Sequence, residues 1–162
     1  MSTDLILERT VSLPPHAVWR AWTEPALLMQ WFCPKPWQTV ECDIELRPGG
    51  RFNTVMQGPG GERHVAAGCI LEVDAPHRLV WTSALGAGYV PVADDGVVPL
   101  FTCVLTFEAV DGGTRYTARA VHRDAAVAEK HSAMGFHDGW GKALEQLVDT
   151  MSTQMKGHVA EG

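Results

Sequence analysis

The sequence predicts an α+β domain in which a strongly twisted antiparallel meander curls around one long carboxy-terminal helix. Three observations carry this. Ala133 to Met155 places Phe136, Trp140, Leu144, Leu147, Met151 and Met155 on one helical stripe, with His137, Asp138, Lys142, Glu145 and Asp149 mostly off it. Thr39 to Leu46 alternates between an apolar face (Val40, Cys42, Ile44, Leu46) and a polar one (Thr39, Glu41, Asp43, Glu45), the period of a half-buried strand. Glycine-rich turns then recur at hairpin spacing, and short hairpins join antiparallel neighbours.

Leu5 to Val11 reads as the opening strand, ended by Pro14 and Pro15. Two short helices follow it. His16 to Trp22 gathers Val18, Trp19 and Trp22 on one side, and Thr23 is placed to cap a second helix that begins at Glu24 and ends at Pro34. After the Val40 to Leu46 strand, Arg47-Pro48-Gly49-Gly50-Arg51 turns the chain into a strand carrying Phe52, Thr54 and Met56, and Gly58 to Gly61 turns it again. His64 to Val73 and Leu79 to Ala84 form the next hairpin across Asp74-Ala75-Pro76-His77; Phe101 to Phe107 and Tyr116 to His122 form the last across Asp111-Gly112-Gly113. This makes seven strands. The long interruption, Leu85 to Pro99, is of a length usually kept for function.

With 162 residues the chain suits one domain, read as residues 1–156 with a flexible tail at 157–162. The net charge of −6 and the scattered Lys and Arg oppose a phosphate-backbone partner, so nucleic acid is not expected. No apolar run approaches a bilayer span, so membrane insertion is not expected. Met1 to Thr10 lacks a signal-peptide pattern, and the expected location is cytoplasmic. Cys33, Cys42, Cys69 and Cys103 show no CxxC pairing and read as reduced, mostly buried thiols.

Six tryptophans supply the ingredients of an apolar pocket. Trp31, Trp37, Phe52, Met56, Trp81, Phe101, Phe136 and Trp140 lie on elements expected to face the interior; they serve either as core filler or as walls for an aromatic or lipid-like ligand. Tyr89 in the long loop, and His64 and His122 on strands, add polar groups to that candidate lining. His122 continues the strand face of Tyr116, Ala118 and Ala120, which puts a titratable ring at the wall if that face is inward. The histidines give no metal-ligand spacing: His131 and His137, six apart on one expected helix, point different ways. No metal or cofactor is expected. There is no GxSxG, and no glycine pair opens a helix after a strand, so neither a serine nucleophile nor a nucleotide cradle is indicated. Glu41, Asp43 and Glu45 are expected to pair across the sheet with Arg51, Arg115 and Arg119.

TEPALLMQWFCP at Thr23 to Pro34, DIELRPGGRF at Asp43 to Phe52, LEVDAPHRLVWT at Leu71 to Thr82 and MGFHDGWGKALEQL at Met134 to Leu147 together resemble one family. It is the bacterial stand-alone branch of proteins similar to the carboxy-terminal domain of the activator of the ninety-kilodalton heat-shock protein ATPase, within the START and birch-pollen-allergen (SRPBCC) superfamily. The resemblance implies the helix-grip fold: a seven-stranded antiparallel sheet around a long carboxy-terminal helix, two short helices between strands 1 and 2, and a cavity between sheet and helix. It implies no single activity, since relatives include carriers, cyclases and a co-chaperone module. Three functions stand open: a carrier or sensor of a small hydrophobic ligand, a cyclase- or hydrolase-type enzyme using a polar group in the same cavity, and a module that stimulates a chaperone ATPase. No catalytic constellation is recognisable; the resemblance implies that the eukaryotic co-chaperones also carry an amino-terminal domain, which this chain is not expected to share. Monomer and homodimer are both compatible with the residues.

Overall fold

The computed structural model describes residues 2–161. The chain runs β1 (Asp4–Val11), α1 (Pro15–Thr23), α2 (Pro25–Leu28), β2 (Gln38–Ile44), β3 (Phe52–Gln57), β4 (Arg63–Ala66), β5 (Cys69–Asp74) and β6 (Arg78–Thr82). A short hairpin follows, β7 (Leu85–Gly86) and β8 (Val90–Pro91), and then β9 (Phe101–Val110), β10 (Gly113–His122), α3 (Ala125–Ala133) and α4 (Phe136–Glu161).

Five strands form one antiparallel sheet in the order β1-β10-β9-β6-β5, and three form another in the order β2-β3-β4. The seam between them explains why the expected strand from His64 to Val73 is observed as two. At Gly68 the chain leaves β3 and joins β6: Phe52 N–H donates to Gly68 O at 3.0 Å, and Arg51 bridges Cys69 on the far side of the bend. A Cβ at Gly68 would stand 2.7 Å from Phe52 O and 3.0 Å from Thr82 O, so three backbones meet where only glycine fits. The seven expected strands are therefore present. One is folded at a corner, and the two-residue pair β7–β8 is an addition inside the long loop.

Pro15 starts α1 at its first turn, and Ala17, Val18, Trp19, Ala21 and Trp22 are buried from it. Thr23 does not cap α2. Its hydroxyl donates back to Trp19 O at 2.8 Å, closing α1, and Glu24 takes the cap position, so α2 is a single turn ending at Leu28 rather than reaching Pro34. The carboxy-terminal helical region is also divided. Gly135, at φ +94°, separates α3 from α4, placing His131 and His137 on different helices. Asp124 caps α3 by accepting from Val127 N–H at 2.9 Å. The backbone of α4 continues as helix through the 157–161 stretch expected to be a tail, and Gly162 lies outside the described residues.

The core sits between the concave sheet and the helices. Leu144, Leu147 and Met151 of α4 belong to one cluster with Leu7 of β1, Val18 of α1, and Leu79, Leu105 and Ala118 of the sheet. Each fully buried aliphatic side chain contributes about 1.5–3 kcal/mol. The charged strand face is solvated and zipped: Arg51 meets Asp43 at 2.7 Å and Glu45 at 3.4 Å, and Arg63 meets Glu41 at 2.7 Å. Arg115 and Arg119 instead pair within the five-stranded sheet, Arg115 with Glu108 and Arg119 with Asp4, because β10 lies beside β9 and β1. All four cysteines are free thiols, Cys69 and Cys103 buried and Cys33 and Cys42 partly so.

Candidate functional site

Trp22 is the hub of the interior. Its ring lies 4.9 Å from Trp31, 5.5 Å from Phe32, 6.2 Å from Trp140, 6.3 Å from Trp81 and 6.4 Å from Phe52, mixing edge-on and stacked contacts. Its indole N–H donates to the buried Tyr116 hydroxyl at 3.2 Å, which satisfies both polar atoms, and burial pushes the Tyr116 phenol well above its ordinary range. Trp31 donates its N–H to Ala21 O at 3.1 Å. From α4, Gln146 reaches the turn after α2, donating to Trp31 O at 3.0 Å and Cys33 O at 2.8 Å. These bonds fix the rings before anything binds.

Beyond this cluster the helices part from the sheet and leave a cavity of about 600 Å³. That is within the roughly 300–1,000 Å³ usual for small-molecule sites. Phe52, Met56 and His64 line it from the sheet, Trp81 and Phe101 from the central strands, and Phe136 and Trp140 from the head of α4. Val92, Ala93, Asp95, Val98 and Pro99 close it from the long loop. Lys130 of α3 donates to Gly96 O, and Arg123, just before α3, meets Asp94 at 3.1 Å, so the long loop is tied to α3 and to the turn that leads into it. The mouth is apolar: Val65, Val98 and Met134 are 71 %, 39 % and 61 % exposed while also lining the cavity. A second depression, about 740 Å³, runs between β1 and α4 past Arg9, His137, Asp138, Lys142 and Asp149. Its charged, mixed lining offers nothing that would select a ligand.

Of the residues picked out in the sequence, Trp31, Phe52, Met56, His64, Trp81, Phe101, Phe136 and Trp140 meet at this cavity. Three do not. Trp37 lies over the β3–β4 turn, where a Cβ on Gly58 would come within 2.9 Å of its ring. Tyr89 is 51 % exposed and turns back from the loop onto Gly49, with Gly88 N–H donating to Gly49 O at 2.8 Å. His122 does face inward and is buried, but a second histidine stands between it and the cavity.

That second histidine is His131, expected on one helix with His137 and pointing to a different face of it. The break at Gly135 puts it on α3, against Phe101 at 4.8 Å and Phe136 at 5.2 Å, with its Nδ1 2.8 Å from Nε2 of His122. His122 Nδ1 in turn lies 2.7 Å from Thr3 O. Burial, and then the neighbouring His122, push the His131 imidazole down to about 4. Trp22, Phe32, Pro34 and Met134 also line the cavity. The aromatic ones were legible as inward-facing helix residues; Met134 was not, since the α3–α4 turn was hidden. One buried side-chain polar atom among the described residues lacks a partner, the indole Nε1 of Trp81 in the cavity wall. Leaving it unpaired costs about 1–3 kcal/mol.

No group of three or more His, Cys, Asp or Glu side chains among the described residues could hold a metal ion. No described helix is long and apolar enough to cross a membrane.

A family model described as Activator of Hsp90 ATPase homolog 1-like protein matches residues 12–152. The chain belongs to this family. A protein from Nitrosomonas europaea, known from its crystal structure, is similar to it at 44 % identity, with a TM-score of 0.90 over 95 % of this chain and 97 % of that one. A Staphylococcus epidermidis protein solved by NMR shares 26 % identity, with a TM-score of 0.78 over 95 % and 92 % of the two chains. A Mycobacterium smegmatis protein shares 25 %, with a TM-score of 0.72 over 94 % and 90 %. Proteins of curated function returned no significant match. Family membership thus establishes the helix-grip architecture and is compatible with ligand or chaperone binding; which of these operates has to be argued from the site.

Proposed function

We propose that this protein binds a small hydrophobic or aromatic molecule in the cavity between the sheet and the head of α4, acting as a carrier or sensor. The observation that carries the proposal is the cavity itself: about 600 Å³, walled by aromatic rings and opening through exposed Val65, Val98 and Met134. An apolar guest gains about 25 cal/mol for each Å² of surface it removes from water, and rings already fixed by hydrogen bonds lose little entropy when it enters. The mouth at Val65, Val98 and Met134 offers a route in that leaves the fold intact. Titration of the protein with a panel of aromatic and fatty compounds, followed by tryptophan fluorescence, tests this. Saturable quenching by some members is expected; no response across the panel overturns it. Native mass spectrometry of protein purified from its own cells would identify what it carries.

A second reading, an enzyme of the cyclase or hydrolase kind, is favoured by one observation: the wall is not all carbon, since the imidazoles of His64 and His131 are on it. Either ring could move a proton on a bound substrate. Turnover of a bound compound that disappears in both His64→Gln and His131→Gln proteins would establish this reading, and return of the compound unchanged would remove it. A chaperone partner is tested separately, by the ATPase rate of the cognate heat-shock protein on mixing.

A further inference from the structure

The hydrogen bonds around His122 determine which nitrogen of His131 carries its proton. Thr3 offers a backbone carbonyl, which can only accept, so the Nδ1 that stands 2.7 Å from it is the protonated nitrogen of His122. With both rings neutral, His122 Nε2 is then a lone pair, and His131 Nδ1, 2.8 Å away, must be the donor to it. This leaves His131 Nε2 unprotonated. That nitrogen has no hydrogen-bond partner among the described residues, and His131 lines the cavity. The pair is also held rigidly: His122 is 5 % exposed, and His131 is packed by Phe101 at 4.8 Å and Phe136 at 5.2 Å. A carbonyl of the amino-terminal segment thus sets, through two imidazoles, an acceptor of fixed position on a mostly apolar wall.

We infer that the cavity selects planar aromatic molecules bearing a hydroxyl group, a phenol or an enol, whose O–H donates to Nε2 of His131. The inference rests on the cavity-binding reading above and adds to it the identity of the group recognised. Two other polar side chains of the wall are already engaged, Ser83 in hydrogen bonds with Phe101 and Asp95 with the amide of Val97 in its own loop; His64 and the unpaired indole N–H of Trp81 also stand on the wall, and the His131 substitution separates their contribution from that of Nε2. A net hydrogen bond in a preformed apolar site favours the hydroxylated guest over its methyl analogue by about 5–10-fold, since one such bond is worth about 1 kcal/mol or a little more.

The test compares 2-naphthol with 2-methylnaphthalene, near-isosteres, by isothermal titration calorimetry on the wild-type chain and on His131→Phe. The expected result is that wild type prefers 2-naphthol about 5–10-fold, and that His131→Phe loses this preference, binding 2-naphthol no more tightly than 2-methylnaphthalene. Equal binding of the two compounds to wild type overturns the selectivity while leaving the cavity reading intact. Binding of neither overturns both. Should His131→Phe fail to fold, the imidazole nitrogen NMR shifts of the unaltered protein decide the matter. Nε2 of His131 should read as unprotonated in the free protein and shift on addition of 2-naphthol but not of 2-methylnaphthalene. An Nε2 that carries the proton in the free protein overturns the inference.

Discussion

Acidification should weaken this fold through His131 in a window that the structure defines. In the native protein the ring is wedged between Phe101 and Phe136 with His122 at its Nδ1, and its pKa is pushed from 6.5 down to about 4, first by burial and then by His122. The unfolded chain therefore binds a proton at this ring more readily than the native one between those two values. Stability is then undiminished above about pH 6.5, falls as the pH drops towards 4, and flattens below that. A completely sealed imidazole depressed this far would remove about 3 kcal/mol. His131 is only partly buried, and screening by water brings the expected loss to about 1–2 kcal/mol. The measurement is a difference, which isolates His131: urea midpoints of wild type and His131→Phe at half-unit steps from pH 7.5 to 4. Wild type should lose about 1–2 kcal/mol relative to the variant across the window. Parallel pH profiles would show that His131 is solvated or that its pair with His122 is not formed, and both the linkage and the tautomer argument would fall.

Tyr116→Phe deprives the buried Trp22 N–H of its acceptor and should cost about 1–3 kcal/mol, read from chemical denaturation. Gly68→Ala forces a methyl against Phe52 O and Thr82 O at the seam of the sheets; a loss of at least about 2 kcal/mol is expected, and a neutral result would mean the corner is not closed as described. Leu147→Ala, in fully buried core, should cost about 3–5 kcal/mol. Trp140→Ala, on the half-open wall, should cost less than the roughly 3–5 kcal/mol of a sealed aromatic while changing the affinity for aromatic probes, which fluorescence titration would show.

What could be read from the sequence, and what could not, divides along a physical line. The strands with strict alternation, around Cys42, Phe52, Leu105 and Ala118, are found where they were expected, because a one-residue slip would expose an entire apolar face. Most of the rings that meet at the cavity were visible for the same reason: Phe52, Trp81, Phe101, Phe136 and Trp140 occupy inward positions of regular elements, whereas Trp31 lies in the turn after α2. Trp37 and Tyr89 lie in irregular segments, where no periodicity says which way a side chain turns, so the expectation that they face the interior had no period to support it. The missed elements are local and polar. Asp124 before Ala125-Ala126-Val127-Ala128 is a capped helix start followed by good helix formers, a signal weaker than the long stripe next to it. Gly135 was hidden because the apolar stripe runs from Phe136 onward without needing it.

The division of the carboxy-terminal helical region is what creates a site rather than a filled core. Had α3 and α4 been one helix, Leu144, Leu147 and Met151 would still anchor it against Leu7 and Val18, but His131 would be carried off the sheet. The reversal at Gly135 instead folds α3 back over β10, with Ala128 buried beneath it and His131 over His122. The head of α4 then stops at Phe136 and Trp140 with no apolar turn preceding them to fill the space above Trp22 and Trp81. The cavity is therefore tied to one glycine: the broken helix leaves a space of about 600 Å³ and brings His131, backed by His122, to its wall. Replacing Gly135 with a β-branched residue such as valine disfavours the φ of +94° that makes the reversal. The expected result is loss of aromatic-probe binding together with loss of the 2.8 Å contact between His122 and His131, read from their imidazole NMR signals, while the anchor around Leu147 keeps the sheet and helix signals in place. Unchanged binding in Gly135→Val would show that the cavity does not depend on the break.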